Sequence, residues 1–304
     1  MKKSKLTTIV IVTFKGLVVE KTLENLNKKF KIILIENSQN EFFQKKIEDK
    51  YKNIKVYLLK KNLGFSVANN IGLKKVKTHY SLVLNPDMHI TANQVLELEK
   101  ISKTIKDFGI LTCNCNGLFE TIFSKTDKYD DFKTKNSIDS YKLNKNKKVL
   151  FEIPYVPGWC MFFKSKDLKK INYFDKNFFL YFEDRDISKR IKNIGKKLIV
   201  INSIKVKHLF GSNSKNKNKL IFNKSWHIRF WHVYWSSFYY HRKHYGLLLA
   251  TKVHFFKFFR FTYLKFYYKV IGNTNLSELN KFKASGILSQ LKNIAAISGP
   301  NADL

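Results

Sequence analysis

Strand-like apolar runs alternate with helically spaced segments from Leu6 to Cys113, and no other feature narrows the possible folds as far. Leu6–Phe14 (LTTIVIVTF) is an apolar, β-branched run, and Lys31–Glu36 (KIILIE), Ile54–Leu59, Tyr80–Leu84 and Gly109–Cys113 are further short apolar runs, which predicts strands. Between them, Leu17–Phe30, Phe42–Tyr51, Phe65–Val76 and a segment opened by Thr91 carry helical periodicity. Strands alternating with helices call for βαβ units and a mostly parallel sheet. Ligands of such sheets bind beyond the carboxyl ends of the strands. The residues that follow each strand therefore matter most: Thr13-Phe14, Glu36-Asn37-Ser38, Asn62-Leu63-Gly64 and Asn85-Pro86-Asp87.

Further along, Lys125–Lys148 is polar and reads as an excursion over the sheet. Apolar structure resumes at Val149–Tyr155 and Trp159–Phe163. A helix is expected over Glu183–Ile194, closed by Gly195, then short strands at Lys197–Ile201 and Ile204–Lys207.

Composition bounds the class. In 304 residues the formal charge is +34, yet 44% of the residues are hydrophobic, enough for a packed core and against a disordered polycation. The length allows one large domain or two smaller ones. Cys113, Cys115 and Cys160 are too few for a disulfide scaffold or a four-thiolate zinc site, so a reducing, cytoplasmic setting is expected. Met1–Lys5 lead into a strand-like run with no small-residue cleavage site, so no signal peptide is expected. No apolar run reaches the roughly 18 residues of a spanning helix.

Such a charge implies an anionic partner: nucleic acid, an acidic membrane face or phosphorylated substrates. Part of it is compositional, since Lys outnumbers Arg 52 to 5. That bias does not explain why Ile187–Ser277 holds 19 Lys and Arg and no Asp or Glu.

Four groups carry potential chemistry. Asn85-Pro86-Asp87 is ordinary turn sequence, but a carboxylate at a strand's carboxyl edge also suits a hard divalent cation. In Asn62–Gly72 (NLGFSVANNIG), Gly64 allows close backbone approach at a helix start, and Asn69 and Asn70 are poor helix-interior residues that can serve hydrogen bonding. Glu183-Asp184-Arg185-Asp186 opens a helix, where acids usually complement the dipole. Asp184, however, lies three, seven and ten residues before Ile187, Ile191 and Ile194, on the apolar stripe, whereas Asp186 is spaced to pair with Arg190. A carboxylate aimed inward is a plausible general base, with Glu183 sharing part of that face. His208 ends the last strand, where an imidazole serves either a backbone hydrogen bond or a metal or diphosphate.

Taken in order, IVIVTF (Ile9–Phe14), IENS (Ile35–Ser38), NLGFSVANNIG (Asn62–Gly72), LNPD (Leu84–Asp87), VPGWCMFF (Val156–Phe163), FDKNFFLYFEDRDISKRIKNIG (Phe174–Gly195) and HLFGSNS (His208–Ser214) resemble the inverting family 2 glycosyltransferases, and most of all their rhamnosyltransferase-like branch. The resemblance implies an α/β GT-A fold: a mostly parallel, mixed sheet flanked by helices, with a helical aromatic-basic extension at the C-terminus. It implies a catalytic domain over residues 1–214, with a nucleotide-sugar half at 1–113 and an acceptor half at 114–214. A membrane-associating region at 215–272 and a tail at 273–304 follow.

The same resemblance implies roles. Thr13 and Phe14 line the base pocket, and Glu36 and Asn37 contact base and ribose, Glu36 standing where the family usually has Asp. Asn62, Gly64 and Asn69 hold the nucleoside diphosphate. Asp87, with Asn85 beside it, ligates Mg²⁺ or Mn²⁺, and His208 binds metal or diphosphate. Asp184 is the base, with Glu183 next to it, and Trp159 borders the acceptor. The activity implied is transfer of a sugar, rhamnose by the branch it resembles, from a dTDP- or UDP-sugar to a lipid-linked or polysaccharide acceptor in bacterial surface glycan synthesis. The rival classes are a nucleotidyltransferase, which lacks its Gly-rich phosphate loop here, and a basic nucleic-acid-binding protein.

Trp226–Tyr268 holds 18 aromatic residues among scattered cations. The mixture suits an interfacial helix on an anionic leaflet, packing or homo-oligomerisation, or single-stranded nucleic acid. Lys252, Lys257, Arg260, Lys265 and Lys269 do not form one stripe on a helical wheel, which speaks against a simple surface helix. Peripheral attachment at the inner face of the cytoplasmic membrane is the reading preferred, since lipid-diphosphate acceptors reside there.

Overall fold

The structure, a computed structural model, describes residues 4–16, 18–115, 150–208 and 224–300. The expected excursion at Lys125–Lys148 and the motif residues Leu209–Ser214 lie outside them. The chain forms two compact units: Met1–Asn62, Val67–Phe174 and Asp184–Phe210 in the first, and Leu63–Ser66, Asp175–Glu183 and Gly211–Leu304 in the second.

In the first unit, β1 (Thr7–Thr13), β2 (Lys31–Glu36), β3 (Ile54–Leu58) and β4 (Tyr80–Leu84) pair in parallel in the order β3-β2-β1-β4. Both faces of this half are covered, which is why β1 and β4 read as continuous apolar runs without alternation. Helices α1 (Glu20–Leu26), α2 (Glu41–Lys50), α3 (Gly64–Leu73) and α4 (Ala92–Ser102) join the strands, α3 beginning in the second unit's Leu63–Ser66. Thr91 caps α4 reciprocally with Gln94, as its position at the head of that segment suggests. Helix α1 is shorter than its periodicity predicts, because Lys15, Gly16 and Val18 adopt left-handed backbone conformations that delay its start.

The sheet continues through β8 (Cys160–Lys164), antiparallel to both β4 and β6 (Phe108–Cys115), and then β9 (Lys197–His208), parallel to β6. The far edge of β9 pairs with β7 (Leu150–Glu152) and with the two-residue strand β5 (Met88–His89). The sheet is thus mixed. The two strands expected at 197–201 and 204–207 are one. Its polar centre at Asn202 is absorbed by a register shift at Cys113/Asn114, where the Asn114 amide donates to Asn202 Oδ1 at 2.6 Å. Helix α5 (Ser165–Lys170) was not legible in the pattern, and α6 (Glu183–Asn193) ends as expected with Gly195 at φ +75°. The three cysteines are buried thiols.

The second unit is helical: α7 (Lys224–Tyr245), α8 (Leu247–Val270) and α9 (Thr274–Leu291), with a short turn at Ala296–Ser298. Residues 273–304, read above only as a tail, thus contain a third long helix. It fits tightly against α7, since a Cβ at Gly286 would collide with the Trp231 carbonyl oxygen. Trp231 and Trp235 are buried, and the Trp235 indole donates to the Ile294 carbonyl at 2.8 Å. The segment Asp175–Glu183 belongs to this unit and lies on α7. Ser236 Oγ donates to the Leu180 carbonyl at 2.9 Å, Tyr239 OH donates to Asp175 at 3.0 Å, and Phe179 stacks on His232.

Candidate active site

Parallel register sets the carboxyl ends of β1, β2 and β3 side by side. Asn37 N–H donates to the Thr13 carbonyl at 2.9 Å, and the Asn37 amide donates to Asn62 Oδ1 at 2.8 Å. Thr13, Asn37 and Asn69 are buried, and Phe14 is partly exposed. Glu36 is buried with its carboxylate turned back on the loop after β1. The N–H groups of Lys15 and Gly16 donate to its two oxygens at 3.1 Å each, and the Ser38 hydroxyl donates as well. Burial pushes the Glu36 carboxyl above its ordinary range, while these donors oppose the shift. The extra methylene that distinguishes Glu36 from the family's Asp thus lets it staple the loop. Asn70 is a staple too: its amide donates to the Phe174 carbonyl and its oxygen accepts from Phe174 N–H, at 2.8 and 3.0 Å.

A second group gathers where β4 ends. Thr22 Oγ1 lies 2.8 Å from the Pro86 carbonyl and 3.0 Å from that of Met88, fixing the Asn85-Pro86-Asp87 turn. The short antiparallel β5–β9 pairing places Met88 opposite His208, and so brings His208 Nε2 within 2.8 Å of Asp87 Oδ1. Asn85 Nδ2 lies 3.5 Å from the same nitrogen. The Trp159 ring is 5.6 Å from the His208 ring, and the Trp159 carbonyl accepts from Asn85 N–H at 2.9 Å.

The third group is Asp184 at the start of α6. Its Oδ2 accepts from Gly158 N–H at 3.2 Å and its Oδ1 from Arg185 N–H at 2.8 Å. Ser188, one turn on, accepts from Val156 N–H at 3.0 Å. The loop Val156–Trp159 is therefore pinned to α6 at one end and carries Trp159 beside His208 at the other. Burial raises the Asp184 carboxyl above its usual range, and the Arg185 charge counters it. Asp186 is fully buried, more so than Asp184, and pairs with Arg190 Nε at 2.8 Å, so depth alone does not single out the base.

Gly64 and Glu183 belong to the second unit. Gly64 has φ +77°, and a Cβ there would strike the Phe179 carbonyl oxygen, which accepts from Phe65 N–H at 2.7 Å. Just before α6, Tyr181 and Phe182 both hold left-handed conformations, φ +68° and +65°. Bulky side chains rarely adopt that region, and two in succession impose a sharp turn immediately before Glu183 and Asp184. The sequence patterns did not reveal Gly158, Ser188 or this turn. The glycine of Val156–Trp159 was the available signal.

Among the described residues, no group of three or more His, Cys, Asp or Glu side chains gathers as a metal site. The Asp87–His208 pair supplies one carboxylate and one imidazole, with the Asn85 amide near it. This set suits Mg²⁺ or Mn²⁺ only when substrate oxygens and water complete the shell.

Comparison with known proteins bears on the family and the fold. The rhamnosyltransferase WbbL of Escherichia coli (strain K12) is 27% identical over 235 residues, covering 69% of this chain and 85% of WbbL. Among solved structures, GalNAc-T7 with UDP, GalNAc and Mn²⁺ matches at TM-score 0.55 and 16% identity over 95% of this chain and 57% of that one. The mannosyltransferase PcManGT from Pyrobaculum calidifontis, with GDP-Man and Mn²⁺, matches at TM-score 0.54 and 11% identity over 97% and 76%. These two show a shared GT-A-type fold. The glycosyl transferase family 2 model matches residues 8–171, more than half of the 304. The protein belongs to glycosyl transferase family 2.

Proposed function

We propose that the protein transfers a sugar, rhamnose foremost, from a nucleoside-diphosphate sugar to an acceptor hydroxyl with inversion at the anomeric carbon. The acceptor class this reading favours is a lipid-linked or polysaccharide glycan of a bacterial surface. One observation carries it: the Val156–Trp159 loop ties Asp184, through Gly158 N–H, to the Asp87–His208 pair, through Trp159. A carboxyl raised by burial is thereby linked through one loop to a metal-competent group at the carboxyl end of β4. The likeness to a rhamnosyltransferase supports the choice of sugar.

In this reading Thr13, Phe14, Asn37 and Asn62 receive the nucleoside, and Gly64 and Asn69 bear on the diphosphate. Glu36 acts through the loop that it orders. Asp184 accepts the proton of the acceptor hydroxyl while that oxygen bonds to the anomeric carbon. The bond from this carbon to the diphosphate oxygen breaks on the opposite face, and the nucleoside diphosphate leaves with the electron pair. His208 and Asn85 meet the charge that develops there. Mg²⁺ or Mn²⁺, held by Asp87 and His208, would supply Lewis-acid stabilisation of the same charge. Trp159 offers the acceptor ring a flat apolar wall.

The test is a screen of dTDP-, UDP- and GDP-sugars for nucleoside diphosphate release with Mg²⁺, Mn²⁺ or chelator. Metal-dependent release from one nucleotide class is expected, fastest with the rhamnose donor. Release from none of them, with the protein folded, would sink the reading.

A further inference from the structure

The 18 aromatics that crowd Trp226–Tyr268 sort by helix. Those of α7 largely turn inward, as Trp231, Trp235, Phe238 and Tyr240 show, whereas α8 buries only Ala250, Val253, His254 and Phe261. On its outer side Leu248 (89% exposed), Phe256 (79%), Phe259, Tyr263, Phe266 and Val270 (86%) face solvent. From Phe256 on they recur every three or four residues, and Leu248 lies two turns before Phe256 with Lys252 between, so all six fall on one stripe. At 1.5 Å per residue it runs about 33 Å along the helix. No single apolar contact accounts for so long an exposed face, because a monomer rarely leaves a continuous patch of this kind uncovered.

The cations, scattered on a bare wheel, acquire an order once the stripe is known. Lys257 and Arg260 each follow a stripe residue, and Lys265 and Lys269 each precede one. Neighbouring residues stand roughly 100° apart around the axis, so the two pairs lie on opposite flanks of the stripe. Lys252 alone falls within it. Helix α8 therefore has two apolar sides, one packed in its unit and one outward, separated by positive borders.

We propose that the outer stripe of α8 docks the protein in the plane of an anionic phospholipid leaflet, with the aromatic rings at headgroup depth and the flanking cations on lipid phosphates. Charge selects this occupant. From Ile187 to Ser277 there is no acid, so a second copy that presented this same stripe would set cations against cations. An anionic surface complements both flanks at once. Among the described residues no helix is long and apolar enough to cross a membrane, so α8 lies on the leaflet. The proposal is independent of the transferase reading: donor turnover in solution needs none of these side chains.

The experiment is flotation with vesicles of equal parts phosphatidylglycerol and phosphatidylcholine, against pure phosphatidylcholine, at low and high salt. Wild type should float with the anionic vesicles at low salt, at least about tenfold more strongly than with the neutral ones. The triple variant Phe256→Ser, Phe259→Ser, Phe266→Ser should lose at least about tenfold of that binding, with its thermal melt and lipid-free donor hydrolysis unchanged. Should the triple variant melt early, Lys257→Gln with Arg260→Gln, Lys265→Gln and Lys269→Gln takes its place and should erase the preference for anionic vesicles. Wild type that stays at the bottom overturns the proposal, as does a folded triple variant that floats like wild type. A concentration-dependent dimer that the triple variant abolishes, without flotation, assigns the face to a second copy and equally overturns it.

Discussion

The two units bury ionisable side chains with opposite consequences. In the first, the buried groups of interest are carboxyls, and desolvation raises Glu36 and Asp184 above their ordinary range. In the second they are imidazoles, and desolvation lowers His232 to about 4 and His254 to about 3. Burial favours the neutral form in both, so falling pH relieves Glu36 and Asp184 and strains His232 and His254. A net charge of +34 says nothing of this.

The comparison breaks most visibly at Asp184. Asp184→Asn should lower transfer by about 10²–10⁴-fold, the span typical of a lost general base, with nucleotide affinity nearly unchanged, because its partners are Gly158 and Arg185 and not the Asp87–His208 pair. A general base acts when deprotonated, so if Asp184 fills that role the rate is full above its raised pKa and falls as pH drops through it. Arg185 holds the value down, and Arg185→Gln should move this acid limb to higher pH. Steady-state rates across pH, with nucleotide binding by calorimetry, check both. Normal turnover by the Asn variant would remove Asp184 from the chemistry.

Gly64 probes the segments that the chain lends to the helical unit. At φ +77° and against the Phe179 carbonyl, Gly64→Ala combines strain with a collision, for an expected loss of about 2–3 kcal/mol. Tryptophan fluorescence should report it, since Trp226, Trp231 and Trp235 all lie in the second unit. An unchanged melt would show that Leu63–Ser66 and Asp175–Glu183 are not held to one another as the Phe65–Phe179 hydrogen bond indicates.

What was legible in the sequence followed from local physics. Strands β1, β2 and β4 announced themselves because strands buried on both faces read as short continuous apolar runs, and Thr91 because a cap is a local motif. The strand ends led directly to Thr13, Asn37, Asn62 and Asp87. The contact of Asp87 with His208 was not legible, because it depends on the two-residue β5, too short to carry a period. Glu36 was expected on the nucleoside. That its oxygens bind Lys15 and Gly16 depends on a left-handed loop that composition does not encode. The outward stripe of α8 was hidden for a related reason: with both sides of the helix apolar, periodicity does not tell the packed side from the exposed one, and the cations look random until burial separates the two.

The smallest expected effect is the most direct test of the opposing pH responses. His232 is fully buried, stacks on Phe179 at 4.7 Å and meets Trp231 edge-on at 4.9 Å, and among the described residues neither ring nitrogen has a hydrogen-bond partner. Its folded pKa of about 4 lies below the unfolded value of 6.5. The unfolded chain therefore binds the proton first, and the stability contributed by the neutral ring is present above pH 6.5 and is lost as pH falls toward 4. By pH 5 that loss is about 2 kcal/mol for His232, with His254 adding to it in the same direction. Acid should thus collapse the tryptophan signal of the helical unit before the β-sheet signal in circular dichroism. His232→Phe keeps the stacking on Phe179 and removes the protonation, so it should shift the tryptophan transition to lower pH and leave the sheet transition in place. Coincident transitions in wild type, unmoved by this substitution, would mean that the two units do not respond to acid separately and that the buried imidazoles are not what distinguishes them.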